Sequence, residues 1–100
     1  MESLISNHLP EIKNLFKKYD VKEAYLFGSA ARNSLTENSD VDFLINFSNK
    51  TDFESYDNNY FDLLYALQDL LKRDVDLIAE ETLSNPYLIE SINQSKIQLI

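Results

Sequence analysis

The stretch that decides the fold reads Tyr25-Leu-Phe-Gly-Ser-Ala-Ala-Arg-Asn-Ser-Leu-Thr-Glu-Asn-Ser-Asp-Val-Asp-Phe-Leu-Ile-Asn-Phe47. Its first apolar run, Tyr25-Leu26-Phe27, shows no alternation, as expected of a strand covered on both faces. The run stops at Gly28, the one glycine in the chain. Glycine lets other groups approach the main chain closely, at a cost in backbone entropy. Ser29-Ala30-Ala31-Arg32 offers one helical turn whose free N–H groups point at the strand end, a seat for an anion. Asn33 to Ser39 is a polar loop. Asp40 to Phe47 predicts a second strand, with Val41, Phe43 and Ile45 on one face and Asp40, Asp42 and Leu44 on the other. Two aspartates on one face of a buried strand are costly unless something compensates their charge.

Upstream, Leu9, Ile12, Leu15, Phe16 and Tyr19 recur at helical spacing. Pro10 suits a first turn and not a helix middle, so the main helix starts near His8, with residues 2–7 as a separate turn. His8, beside that proline, reads as a surface residue. Downstream, Ser48 to Asn58 reads as a loop. A helix over Tyr56 to Lys72 carries the stripe Tyr60, Leu63, Leu64, Leu67 and Leu71, widened by Phe61 and Leu70. Val75 to Ala79 predicts a third strand with Asp76 between apolar neighbours, and Glu80 to Asn85 a loop. Pro86 opens a last helix with Tyr87, Leu88, Ile89 and Ile92 as its buried side. Lys96 to Ile100 reads as a final edge strand. The order predicts an α+β (α/β) chain, a small mixed β-sheet with helices packed on it, as a single domain over residues 1–100.

One hundred residues have no room for two cores. The formal net charge of -8 argues against a nucleic-acid backbone as direct partner, since such binding is built on Lys and Arg. It suits a basic protein partner or a site for cations. With no cysteine, disulfides and thiolate metal sites are excluded. Neither a signal peptide nor an apolar run of membrane-spanning length is visible, so a cytoplasmic protein with no membrane association is expected.

The carboxylates carry the chemistry. Asp40 and Asp42 share a face and repel unless a cation sits between them. Magnesium fits an all-oxygen donor set. Asp76 joins them if its strand lies beside the second one, giving three carboxylates and room for two ions. Gly28 and Ser29 offer backbone N–H groups and a hydroxyl to a phosphate. A nucleotide triphosphate satisfies both halves of such a site, with in-line attack on the α-phosphorus releasing pyrophosphate.

Leu26-Phe27-Gly28-Ser29-Ala30-Ala31-Arg32 followed by Ser39-Asp40-Val41-Asp42-Phe43 resembles the signature of the DNA polymerase β-like nucleotidyltransferase superfamily. The short length resembles its minimal nucleotidyltransferases, the antitoxins of two-gene toxin–antitoxin systems. The resemblance implies the polymerase β-like fold. It implies that Gly28, Ser29 and Arg32 bind the nucleotide, and that Asp40, Asp42 and Asp76 are catalytic and bind two Mg²⁺ ions. It also implies AMP transfer from ATP to a tyrosine of a HEPN-domain ribonuclease toxin, silencing it. Arg32 either adds charge toward the phosphates or braces its loop by pairing with an acidic neighbour. Two positions depart from the pattern: Ala30 stands where many relatives carry a basic residue, and Asn33 where many carry glycine. A second reading is an antitoxin that neutralises its toxin by covering it without catalysis, through the outer side of the Tyr60–Leu71 helix or the Tyr87 region. A small-molecule acceptor such as an antibiotic is disfavoured, because relatives of that kind carry an extra acceptor-binding domain.

Overall fold

The computed structural model describes residues 3–36, 38–47 and 53–100, with side chains at 53–57 left aside. A short helix α1 (Ser3–Asn7) leads into α2 (Leu9–Lys18), then β1 (Val21–Phe27), the single turn α3 (Gly28–Ala31) and β2 (Val41–Phe47). A long helix α4 (Phe53–Leu71) leads to β3 (Val75–Ala79), followed by a 3-10 turn at Glu80–Thr82, α5 (Pro86–Ser95) and the short strand β4 (Ile97–Gln98). The expected α+β class and mixed sheet are observed. The four strands lie in the order β3-β2-β1-β4; β2 and β3 are parallel and the other neighbours antiparallel. A parallel pair needs a long crossover, and α4 is that connection.

Alternation along the strands splits the core. Leu26, Val41, Phe43, Ile45 and Leu77 face α2 and α4, where they meet Ile12, Phe16, Leu63, Leu67 and Leu71. The rings of Phe16 and Phe43 meet edge to face, 5.8 Å apart. On the other face, Phe27 and Leu44 pack with Ile92 of α5, joined by Tyr25, Ile78 and Leu83. Both sheet faces are therefore covered, which explains the unbroken apolar run at Tyr25–Phe27.

The model corrects three expectations. The loop expected over Ser48 to Asn58 lies outside the described residues at 48–52, and from Phe53 onward the chain is helical. Phe61 is 51% exposed rather than part of the buried stripe. It sits two residues before buried Leu63, about 200° round the helix from it. In α5, Ile92 is buried, but Tyr87 is 83% and Leu88 39% exposed. Tyr87 precedes Ile92 by five residues, about 140° away on the helix. The N–H groups of Tyr87 and Leu88 instead donate to the Asn85 side chain, which caps the helix at 3.0 and 3.4 Å.

With one glycine in the chain, helix termination falls to other residues. Asp20, Asn33 and Lys72 follow α2, α3 and α4 with φ of 62°, 57° and 56°. A left-handed lysine costs about 1 kcal/mol relative to glycine. Lys72→Gly is expected to raise the unfolding free energy from denaturant titration by about that amount. The exposed Lys72–Asp69 ion pair at 3.4 Å, lost in the same change, contributes little.

Candidate active site

The β1–β2 register sets Phe27 opposite Asp42, and the β2–β3 register sets Asp42 opposite Asp76. Gly28, at the end of β1, Asp42 near the start of β2, and Asp76 near the start of β3 therefore meet at one end of the sheet. Asp42 and Asp76 share the α5 face with Leu44 and Ile78, opposite the main core. The condition attached to Asp76, that its strand lie beside the second, is met. Asp40 stands just before β2 and is exposed.

Gly28 is required twice over. Its φ is +70°, a conformation that side-chain-bearing residues rarely adopt. A Cβ there would also run into the Asp42 carboxylate, with Cγ only 3.3 Å away. The carboxylate leans directly over the glycine backbone. The turn that follows is closed by Arg32 N–H donating to Gly28 O at 3.2 Å and Ser34 N–H donating to Ser29 O at 2.9 Å. Ala30 is wholly buried in the main core. The position where many relatives carry a basic residue is thus a packing position in this chain. Asn33 takes the left-handed conformation at the turn's exit, as suits a residue standing in for glycine.

Asp42 is half-buried, and its carboxyl is pushed up to about 6. Burial is the main cause, followed by the negative charges of Asp76 and Asp40; Arg32 draws it back down. Among the described residues none donates a hydrogen bond to this carboxylate, and none forms an ion pair with Arg32. As the side chains stand, no three acidic groups among the described residues converge to hold an ion. The Asp42–Asp76 pair, with an unsatisfied half-buried carboxylate beside a second acid, is nonetheless a donor set that a hard divalent cation would relieve.

Arg73 has a role that reading the sequence missed. Its Nη1 donates to Thr36 O at 2.9 Å and to Ser39 O at 3.2 Å. Thr36 and Ser39 bond to one another, with Thr36 N–H donating to Ser39 Oγ at 3.1 Å. Val41 N–H donates to Asp74 O at 3.1 Å. Arg73 thereby fastens the loop before Asp40 to the start of β3. No local pattern announces this, because its partners lie 34 and 37 positions away.

Two cavities open on this part of the sheet, one of them lined by Asp76. One, about 240 Å³, lies on the α5 side over Leu44 and Ile92, with Glu80 and Asn93 among its lining residues. The other, about 450 Å³, lies beside β3 and is lined by Asp76, Tyr60, Phe61 and Thr82 among others. Tyr60 donates its hydroxyl to Leu77 O at 2.5 Å. Its acidity is weakened first by burial and then by the Asp76 charge.

The chain is similar to several known proteins. "Putative protein adenylyltransferase MJ0128" of Methanocaldococcus jannaschii is 41% identical over 85 residues, spanning 85% of this chain and 83% of its own. Another from the same organism, "Putative protein adenylyltransferase MJ0126", is 35% identical over 99% of this chain and 94% of its own. A solved "putative minimal nucleotidyltransferase" superposes with a TM-score of 0.74 at 27% identity, covering 93% of this chain and 90% of that one. The fold also matches a chain from the structure of a tri-AMPylated Shewanella oneidensis HEPN toxin in complex with its MNT antitoxin. There the TM-score is 0.66 at 21% identity, over 95% of this chain and 71% of that one. The family model described as "Nucleotidyltransferase domain" matches residues 5–99, nearly the whole chain. A family match over nearly the whole chain, with relatives at 41% and 35% identity, makes the protein a member of the nucleotidyltransferase-domain family.

Proposed function

We propose that this chain is the antitoxin of a toxin–antitoxin pair and transfers AMP from ATP to a tyrosine hydroxyl of a HEPN-domain ribonuclease. The observation that carries the reading is the register of three strands, which aligns Gly28, Asp42 and Asp76 at one end of the sheet. The relatives named as protein adenylyltransferases support the reaction class. Support for the partner comes from the fold shared with a chain of that HEPN toxin–MNT antitoxin complex and from the motif resemblance.

Gly28 and Ser29 hold the phosphates with backbone N–H groups and a hydroxyl, and Arg32 adds positive charge at the rim. Asp40, Asp42 and Asp76 would hold two Mg²⁺ ions, which when bound would supply charge neutralisation at the phosphates and a more acidic acceptor. The acceptor oxygen forms a bond to the α-phosphorus. The bond from that phosphorus to the bridging oxygen breaks, and pyrophosphate leaves with the electron pair. Asp76 receives the acceptor proton.

The test incubates the chain and a purified HEPN-domain partner with ATP and Mg²⁺ and weighs the intact partner. A gain of whole adenylyl units, abolished by EDTA, is expected. Tight complex formation without a mass gain would replace this reading with the non-catalytic covering antitoxin.

A further inference from the structure

The strand order gives the site a direction. Gly28 and Ser29 open α3 just after β1, Asp42 follows on β2, and Asp76 lies beyond it on β3, the edge strand. Neighbouring strands are about 4.8 Å apart, so phosphate-gripping groups and Asp76 are separated by about 10 Å across the sheet. In-line displacement sets the attacking and leaving oxygens on opposite sides of the phosphorus. With pyrophosphate leaving over β1, the acceptor must arrive over β3, where the 450 Å³ cavity opens beside Asp76.

The rim of that cavity is aromatic and exposed. Phe61 and Tyr65, one turn apart on α4, are 51% and 62% exposed, and their rings stack at 6.4 Å. Tyr60 meets Phe61 edge to face at 5.2 Å, and its own hydroxyl is fixed on Leu77 O. The Phe61 ring is thus held between two others before anything binds. Among the described residues no basic side chain lines the cavity. Asp76 lies within it, and Asp62, Glu80 and Glu81, exposed, adjoin its lining residues in sequence.

We propose that the Tyr60–Phe61–Tyr65 patch and the cavity beside Asp76 form the docking surface for the acceptor segment of the partner protein, a basic segment that carries a tyrosine. The inference rests on the transferase reading above. The aromatic rings supply rigid contact area of the kind that dominates interface energetics. The acidic surround selects a cationic segment, consistent with the chain's net charge of -8.

The test titrates the isotope-labelled full chain, loaded with Mg²⁺ and AMP-PNP, with the peptide Lys-Lys-Tyr-Lys-Lys and follows backbone amide signals. Saturable shifts are expected at residues 60–65 and 76–82. Phe61→Ala combined with Tyr65→Ala should weaken the peptide about tenfold or more while leaving AMP-PNP affinity unchanged. Both side chains are half-exposed or more, so the fold should survive, and the same spectra report it. Shifts centred on α5, an unaltered peptide affinity in the double variant, equal binding of Glu-Glu-Tyr-Glu-Glu, or no saturable shift would each overturn the inference. Failure of the unaltered chain to bind AMP-PNP is a separate result, and it would count against the transferase reading itself.

Discussion

Gly28→Ala is expected to cut adenylyl transfer by about a hundredfold while destabilising the fold by only about 1–2 kcal/mol. The two effects have separate causes. The stability cost comes from forcing a residue with a Cβ to hold φ near +70°. The clash itself is relieved cheaply, because the atom in the way is the far end of the Asp42 side chain rather than backbone. Relief, however, means moving the carboxylate off the glycine, and misplacement of a reacting group by about 1 Å has consequences of this size. Urea unfolding and a partner-labelling assay measure the two quantities independently. Ser29→Ala, which removes a hydroxyl without touching Asp42, should lose less. A Gly28→Ala protein that labels its partner at the unaltered rate would show that the carboxylate's seat on the glycine has no part in the reaction.

The same residues explain what could be read beforehand. Gly28, Ser29 and the aspartates stand out in the sequence as residue types that packing alone would disfavour, and the strand register brings Gly28, Asp42 and Asp76 to one end of the sheet. Asp76 was legible only conditionally, since strand pairing is not written in a local pattern. Phe61 and Tyr87 differ from expectation because side-chain type alone suggests burial, while the angle of each on its helix places it outside. An aromatic residue exposed for binding carries the same letter as one in the core. The start of α4 was hidden by the polar run before Tyr60, whose Ser, Asn and Asp residues favour turns in isolation yet continue the helix here. Arg73 is the hardest case: a cation at a turn becomes a clamp only after folding brings Thr36 and Ser39 to it.

Asp42→Asn should separate stability from function most sharply. Losing one carboxylate of the proposed metal-holding set should reduce transfer by about 10³-fold or more, since a bound ion supplies several kcal/mol of transition-state stabilisation. The metal-free fold should become more stable at neutral pH. The folded Asp42 carboxyl sits at about 6, above the ordinary 3.8, with burial as the leading cause and Asp76 and Asp40 next. An acid raised in this way binds its proton more tightly folded than unfolded. Its destabilising effect is therefore absent below the unfolded value, grows between about 4 and 6, and persists above. The asparagine variant escapes that loss. Because the group is only half-buried, solvent screening limits the gain to about 1 kcal/mol. Denaturation without metal should show the two proteins alike near pH 4 and the variant ahead at neutral pH. Adding Mg²⁺ and ATP should then stabilise the unaltered chain and leave the variant nearly unmoved, because only a protein that binds the ligand gains from its concentration. A variant less stable than its parent in neutral, metal-free buffer would mean that this carboxylate makes favourable contacts in the fold. It would then have to be read as a structural group rather than one held ready for a cation.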